Sequence, residues 1–137
     1  MPLEHHILAE VESWHHKSRE DLRAAQVDLD AQPPLLGDCL FHCQQACEKA
    51  IKALLCGMQT PFRKVHDLNE LGALVMQSFP ELDPQLDMIA HFSTYAVSTR
   101  YPSDEPEPEM DETRENLILA NQFVTVISNV LDKIKAV

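Results

Sequence analysis

The chain has 137 residues and a net charge of −11, with 22 acidic side chains against 11 lysines and arginines. A chain of this length buries one hydrophobic core, so we expect a single domain over residues 1–137. Aromatic residues make up only 6% of the chain and there are three glycines, a composition that favours helix over sheet. The acidic excess argues against general nucleic-acid binding, which depends on neutralising phosphates with Lys and Arg.

The sequence predicts a cytoplasmic protein with reduced thiols. No apolar run approaches the roughly 20 residues that cross a bilayer, and the N-terminal MPLEHHILAEVESWHH lacks the basic start and apolar core of a signal peptide. The four cysteines lie between residues 39 and 56, whereas a disulfide framework joins distant segments.

Two long helices are predicted first in the chain. Apolar or small residues at three- and four-residue steps predict a helix from Leu3 to about Asp30, which Pro33 and Pro34 end. Its buried face comprises Leu8, Val11, Trp14, Ser18, Leu22, Ala25 and Leu29. A second helix, about Leu36 to Met58, carries a stripe of small or apolar residues: Cys39, Cys43, Ala46, Ala50, Ala53, Leu54 and Gly57. Because small side chains allow close approach, we expect this helix to be the most central.

Three further helices complete the predicted architecture. Asp67 is the expected N-cap of a short third helix, with Glu70 three residues later in a capping-box pattern. A fourth helix is predicted from about Asp83 to Arg100, where Pro102 restricts the preceding residue. After an acidic loop, a fifth helix runs from Met110 or Asp111 to about Lys135. The sequence thus predicts an all-α antiparallel up-and-down bundle of four long helices and one short helix.

The cysteines and histidines do not form a metal-binding pattern. Cys39, Cys43 and Cys47 would lie along one helix face over roughly 12 Å, too long for one ion, and we interpret them as core residues. The pairs His5-His6 and His15-His16 point about 100° apart on a helix, so they are interpreted as surface residues. We therefore predict no metal site.

The polar side of the second helix allows two interpretations. Within about 80° of arc it carries His42, Gln45, Lys49 and Lys52, and Gln44 and Glu48 flank them on the other side. A solvated face is the simpler interpretation. The alternative is a pocket or a partner surface opposite the wall of small residues.

Three sequence blocks in order resemble the HEPN domain. They are HCQQACEKAIKALL (His42 to Leu55), KVHDLNEL (Lys64 to Leu71) and YAVSTRYP (Tyr95 to Pro102), preceded by Trp14 and SREDLRAA. The resemblance implies an up-and-down helical bundle that pairs into a homodimer. It also implies a partner nucleotidyltransferase, often in a toxin–antitoxin or defence system, and nucleotide binding in some members.

Many HEPN proteins are metal-independent ribonucleases with an arginine followed four to six residues later by a histidine. Such a pair suits RNA cleavage, because the histidine moves the 2′-hydroxyl proton and the arginine stabilises charge on the phosphate. Here the stretch after Arg100, YPSDEPE, contains no histidine, and His66 follows Arg63 by only three positions. Arg19, Arg23 and Arg114 also lack such a histidine. We therefore predict no catalytic residues and no ribonuclease activity.

Arg100 has a structural and a functional interpretation. It can cap the last carbonyls of the fourth helix and pair with Asp104 or Glu105. Alternatively, its guanidinium and the Tyr101 ring face Lys49 or Lys52 and bind the phosphate and base of a nucleotide. The candidate nucleotide-binding residues are then His42, Gln45, Lys49, Lys52, Arg100 and Tyr101.

The expected function is a non-catalytic HEPN binding or interaction subunit without a cofactor. It would be a homodimer, with Phe41 and Leu55 as apolar residues away from the main stripe of the second helix. A degenerate ribonuclease that uses Arg100 with His66 or His91 remains an alternative, as does a purely structural helical protein. Alternating Pro and Glu residues predict an extended acidic loop over residues 103–110.

Overall fold

The computed structural model describes residues 2–96, 101–102 and 106–137. Within those residues every regular element is helical, which confirms the all-α fold class. The five α-helices are α1 His5–Asp30, α2 Leu36–Gly57, α3 Leu68–Met76, α4 Asp83–Ile89 and α5 Met110–Lys135. Two 3₁₀ helices, Pro80–Leu82 and Ala90–Ala96, precede and follow α4.

Helices α1 and α2 form an antiparallel hairpin. The Ser18 hydroxyl donates to the carbonyl oxygen of Ala46 at 2.6 Å, and Asp21, later in α1, contacts His42, earlier in α2. The backbone N–H of Leu35 bonds the carbonyl of Asp28 across the connection at 2.9 Å. The short connection therefore brings the end of α1 beside the start of α2.

Helix α5 runs antiparallel to both α1 and the α4 segment. Near the start of α1, Glu12 Oε1 accepts a hydrogen bond from Lys135 Nζ at the end of α5 at 2.9 Å. His15 Nε2 and Ser128 Oγ are hydrogen-bonded at 2.7 Å. After α4, His91 meets Asn116 near the start of α5 at 2.9 Å. These pairs establish the up-and-down order α1, α2, α4 and α5.

Helix α2 is the central helix, as predicted. All seven residues of its stripe are buried, and α2 packs against α1, α3, α5 and the second 3₁₀ helix. Cys39, Cys43 and Cys47 are 0% exposed, and burial raises the pKa of the Cys47 thiol. The core interpretation of these cysteines is therefore confirmed. Leu55 is also buried within its own chain, so it is not available as a dimer contact.

Helix α2 ends in a Schellman motif. The N–H of Thr60 bonds the carbonyl of Leu55 and the N–H of Gln59 bonds that of Cys56, the paired 6→1 and 5→2 bonds of that motif. Gln59 has φ 57 and occupies the left-handed position that glycine usually fills. The motif turns the chain back toward α1 and so forms one side of the candidate site.

The predicted N-cap of α3 is confirmed, but the capping box is incomplete. The Asp67 side chain accepts a hydrogen bond from the N–H of Asn69 at 2.9 Å. Glu70, expected to bond back to the cap, instead pairs with the Arg63 guanidinium. Arg63 thereby ties the preceding loop to the first turn of α3.

The fourth helix is shorter than the predicted span to Arg100. Its α-helical part ends at Ile89 and a 3₁₀ helix continues to Ala96, while residues 97–100 lie outside the described residues. The segment contains Ser93 and Thr94, whose hydroxyls compete with helical hydrogen bonds, and aromatic residues, which lose rotamer freedom in a helix. One example is Thr94, whose hydroxyl donates to the carbonyl of His91 at 3.0 Å.

Among the helices of the described residues, α5 has the length and the apolar composition needed to cross a membrane. Core helices of soluble proteins meet the same two criteria. In this fold α5 buries eight residues, among them Phe123, Ile127 and Leu131, against α1, α2 and α4. The buried apolar side chains of α5 therefore belong to the helical core.

Candidate functional site

A row of polar side chains on α2 is buried rather than solvated. Gln44, Glu48 and Lys52 follow one another at four-residue steps and are 0%, 2% and 6% exposed. The interpretation of this side as a solvated face is wrong for these three residues. The physical reason is that α1 and the loop before α3 cover the helix on this side as well.

Glu48 is the centre of this buried row. Its carboxylate accepts hydrogen bonds from Lys52 Nζ at 2.8 Å and from Gln44 Nε2 at 3.0 Å. Lys52 bonds Oε2 and Gln44 bonds Oε1, and His66 Nδ1 lies 2.9 Å from that same Oε1. A buried carboxylate is tolerated when it is paired and hydrogen-bonded in this way. Glu48 thus fixes two basic side chains, those of Lys52 and His66.

These two basic side chains line a surface groove of about 950 Å³. The groove lies between the first half of α1, the end of α2 and the loop over residues 59–66. Lys17 and Lys64 add two more cations, so three of the six lysines of the chain surround one groove, with Glu10 as the acidic residue of the lining. The groove therefore gathers positive charge in a strongly acidic protein.

Two aromatic rings form the apolar wall of the groove. Trp14 and Phe62 meet edge to face with ring centroids 6.5 Å apart. Lys52 Nζ lies 5.3 Å from the Trp14 centroid and 6.0 Å from that of Phe62, within the range of cation–π attraction. Aromatic surface beside cations suits a ligand that carries a flat ring and a negative charge.

A second polar cluster lies where α1 ends and α2 begins. Asp21 accepts from Lys49 Nζ at 2.6 Å through one oxygen and contacts His42 Nδ1 at 2.8 Å through the other. On the opposite edge of the same ring, Nε2 lies 3.5 Å from Asp38 Oδ2 and 4.0 Å from Asp28 Oδ2.

Asp28 is the most perturbed carboxyl of this cluster. Burial, a hydrogen bond to Asp38 and the negative charge of Asp38 raise its pKa to about 6, while His42 acts in the opposite direction. Its Oδ2 atom is buried without a hydrogen-bond partner. Among the described contacts of the cluster, the Oδ2 atom of Asp28 is therefore the acceptor left without a donor.

The structure divides the sequence-predicted nucleotide residues between these two places. His42 and Lys49 share Asp21, whereas Lys52 lines the groove, about 15 Å from His42 along the helix axis. Gln45 donates to the side-chain oxygen of Gln44 at 2.7 Å.

Tyr101 is 71% exposed. Arg100 lies outside the described residues, as do Asp104 and Glu105, so both interpretations of Arg100 remain predictions.

The histidines differ from one another in their surroundings. His5, His6 and His16 are exposed as predicted. His15 is buried and bonded to Ser128 at 2.7 Å, so its interpretation as a surface residue is wrong. His15 directly follows Trp14 of the apolar stripe, and it lies on the side of α1 that α5 covers.

The two histidines of the ribonuclease alternative lie in different surroundings. His66 contacts Glu48 at the groove. His91 contacts the side-chain oxygen of Asn116, and Asn116 donates to the hydroxyl of Tyr95 at 3.3 Å.

Sequence reasoning missed most of the groove. The spacing of Trp14 puts it on the core face of α1, and Lys17, Phe62 and Lys64 belong to no helical pattern that links them. One signal was available in α2, where Gln44, Glu48 and Lys52 repeat at four-residue steps and Glu48 precedes Lys52 in the favourable order. The convergence of three chain segments carries no sequence signature.

Most of the chain matches one protein family. The family model of the HEPN domain matches residues 11–131. The chain belongs to the HEPN domain family. No match was found among curated proteins.

Two solved structures share the HEPN fold of this chain. TT1696 from Thermus thermophilus is 23% identical with a TM-score of 0.75, over 87% of this chain and 96% of that one. ST0689, an archaeal HEPN homologue, is 19% identical with a TM-score of 0.64, over 87% and 95%. At these identities the similarity establishes the fold.

Proposed function

We propose that this HEPN domain is a non-catalytic binding subunit whose groove holds a nucleotide-like ligand. The observation that carries the proposal is the groove itself. It places Lys17, Lys52 and Lys64 beside the Trp14 and Phe62 rings, in a chain with a net charge of −11.

Each part of such a ligand has a matching part of the groove. Aromatic side chains bind the face of a base by stacking, and exposed lysine side chains bind phosphate oxygens as mobile point charges. Lys17 is 62% exposed in its side chain and can move toward a phosphate. Lys52 is held by Glu48 and contributes a fixed positive charge at the aromatic wall.

The groove replaces Arg100 as the centre of the proposed binding site. Of the residues that the sequence suggested, Lys52 lies in the groove lining. His42 and Lys49 are engaged with Asp21, which reduces their availability for an anionic ligand.

The proposed partners follow from family membership. A homodimer acting with a nucleotidyltransferase, in a toxin–antitoxin or defence system, is what the resemblance implies. The groove supports a ligand-responsive subunit of such a system rather than a purely structural protein. The ribonuclease alternative requires Arg100 together with His66 or His91.

Trp14 provides a direct test, because it is the one tryptophan in the chain and lies in the groove wall. ATP, GTP and a short RNA would be titrated while tryptophan emission is followed, with excitation at the red edge of the absorption band. We expect saturable quenching by at least one nucleotide. Lys17→Ala/Lys64→Ala should weaken that binding by about tenfold or more, and added salt should weaken it further.

Lys133→Ala is the matched control, because Lys133 is an exposed lysine on α5 outside the groove. It should bind like the unmodified protein. Undiminished affinity in the double variant, or no response to any nucleotide in fluorescence and thermal shift, would contradict the proposal. Cleavage of the RNA that Arg100→Ala abolishes would instead support the ribonuclease alternative.

A further inference from the structure

We propose that Asp28, Asp38 and His42 bind a divalent transition-metal cation of the zinc class at the turn between α1 and α2. One ligand atom from each residue lies within 4.8 Å of the other two. This site is separate from the groove, and its residues come from the end of α1 and the first turns of α2.

The distances within the cluster fit a small cation. His42 Nε2 lies 3.5 Å from Asp38 Oδ2 and 4.0 Å from Asp28 Oδ2. A tetrahedral ion bonded at about 2.0–2.2 Å separates its ligand atoms by roughly 3.4 Å. Small side-chain movements would therefore bring all three atoms to bonding distance. Asp38 and His42 are four residues apart, so they project from the same face of α2.

Asp21 orients the imidazole for metal binding. The carboxylate is an acceptor, so Nδ1 of His42 donates the hydrogen in the 2.8 Å contact with Asp21 Oδ1. In the neutral ring, Nε2 then presents a lone pair toward the two remaining carboxylates. A carboxylate that bonds the second ring nitrogen is the usual support of a metal-bound histidine.

The buried carboxylate of Asp28 also favours a cation. Three carboxylates, those of Asp21, Asp28 and Asp38, surround His42, and Lys49 pairs with Asp21 at 2.6 Å. Asp28 is 8% exposed, and its Oδ2 atom has no hydrogen-bond partner. A buried acceptor without a partner is costly, and a bound cation would satisfy this one.

The ligand set indicates the class of metal. One imidazole and two carboxylates suit Zn²⁺ and related divalent transition ions better than Ca²⁺ or Mg²⁺, which prefer oxygen ligands. The side chains of His42 and Asp38 are 24% and 35% exposed. Solvent therefore reaches the site, and water can complete the coordination.

The test uses the full chain after treatment with a chelator. Zn²⁺ binding is measured by calorimetry and by the shift in melting temperature, and Co²⁺ serves as a spectroscopic probe. We expect one tight site per chain, with visible Co²⁺ bands of nitrogen and oxygen ligation. Asp28→Asn and His42→Gln should each abolish this site. Asp21→Asn keeps all three proposed ligands but weakens the support of the ring and the ion pair with Lys49, and it should weaken binding about 10–100-fold.

Asp30→Asn is the matched control, because Asp30 is an exposed acid at the same end of α1. It should retain full affinity. Melting of each variant without metal shows that it is folded, and Asp28→Asn should melt no lower than the unmodified protein because it removes a buried charge. The absence of saturable binding, unchanged affinity in Asp28→Asn, or Co²⁺ bands of thiolate ligation would each overturn the proposal.

Discussion

Glu48 shows how one buried side chain organises the candidate binding groove. Its carboxylate holds both Lys52 and His66, and a variant without Lys52 would leave a buried charge with fewer partners. Breaking a buried ion pair of this kind costs about 3–5 kcal/mol. Substitutions at the exposed Lys17 and Lys64 therefore separate ligand binding from stability more cleanly than a substitution at Lys52.

His15 is expected to make stability depend on pH. Burial lowers its pKa from the ordinary 6.5, and the charges of Arg19 and Lys135 act in the same direction. The unfolded chain then binds a proton at this ring more readily than the folded chain does. The contribution of His15 to stability is therefore present above about pH 6.5 and is lost as the pH falls toward the lower folded pKa.

The measurement is urea unfolding at about pH 7.5 and about pH 5.5. His15→Gln retains a polar side chain that can reach Ser128, and it should lose less stability on acidification than the unmodified protein. His16→Gln is the control, since His16 is an exposed neighbour on the same helix, and should behave like the unmodified protein. An equal loss of stability in all three proteins would contradict the assignment.

At the scale of elements, α2 combines the core stripe with both polar sites. Its small residues face the core, and His42 and Lys49 face Asp21 of α1. The buried row of Gln44, Glu48 and Lys52 reaches the groove at Lys52. A single central helix can do this because it has neighbours on several sides. The Schellman motif at its end then sets the direction of the loop that carries Phe62.

Gln59→Gly should stabilise the protein by about 1 kcal/mol. A residue with a Cβ loses about 1–2 kcal/mol in the left-handed conformation, and the larger loss of chain entropy by glycine on folding offsets part of that gain. The change in the urea midpoint measures this. Gln77→Gly is the control, since Gln77 follows α3 with φ −61 and should not gain stability. Destabilisation by Gln59→Gly would indicate that the Gln59 side chain contributes contacts that outweigh the strain.

At the scale of the molecule, the charge distribution is uneven. The chain carries a net charge of −11, yet the groove lining has three lysines and one acidic residue, Glu10, with Glu48 buried behind Lys52. An anion approaching elsewhere is repelled, so this asymmetry would direct an anionic ligand to the groove. The net charge also opposes association between two copies of the chain.

The homodimer implied by the family should therefore respond to salt. We expect a particle of twice the 15.5 kDa chain mass at micromolar concentration, with a dissociation constant that decreases as salt screens the repulsion. Exposed apolar side chains on different helices, such as Val27 and Ile118, are consistent with such an association. Light scattering or sedimentation at low and high salt measures it, and a particle of single-chain mass under both conditions would exclude the dimer.

The sequence by itself determined the helices, their order, the central position of α2 and the membership of the HEPN family. The helices and their order depend on local periodicity, capping and helix-terminating prolines, which are properties of short segments. Family membership depends instead on the three sequence blocks that resemble the HEPN domain. It did not predict the 3₁₀ continuation of α4, because local side-chain competition there overrides an apparently helical pattern.

Only the tertiary structure decided which polar residues meet. The groove joins Trp14, Lys52 and Phe62 from three segments, and the second cluster joins Asp28 of α1 to Asp38 and His42 of α2. Periodicity places each residue on a face of its own helix, whereas the axial alignment and rotation of one helix against another depend on the packing of all side chains between them. That packing buried Glu48 and His15, which the sequence alone placed at the surface.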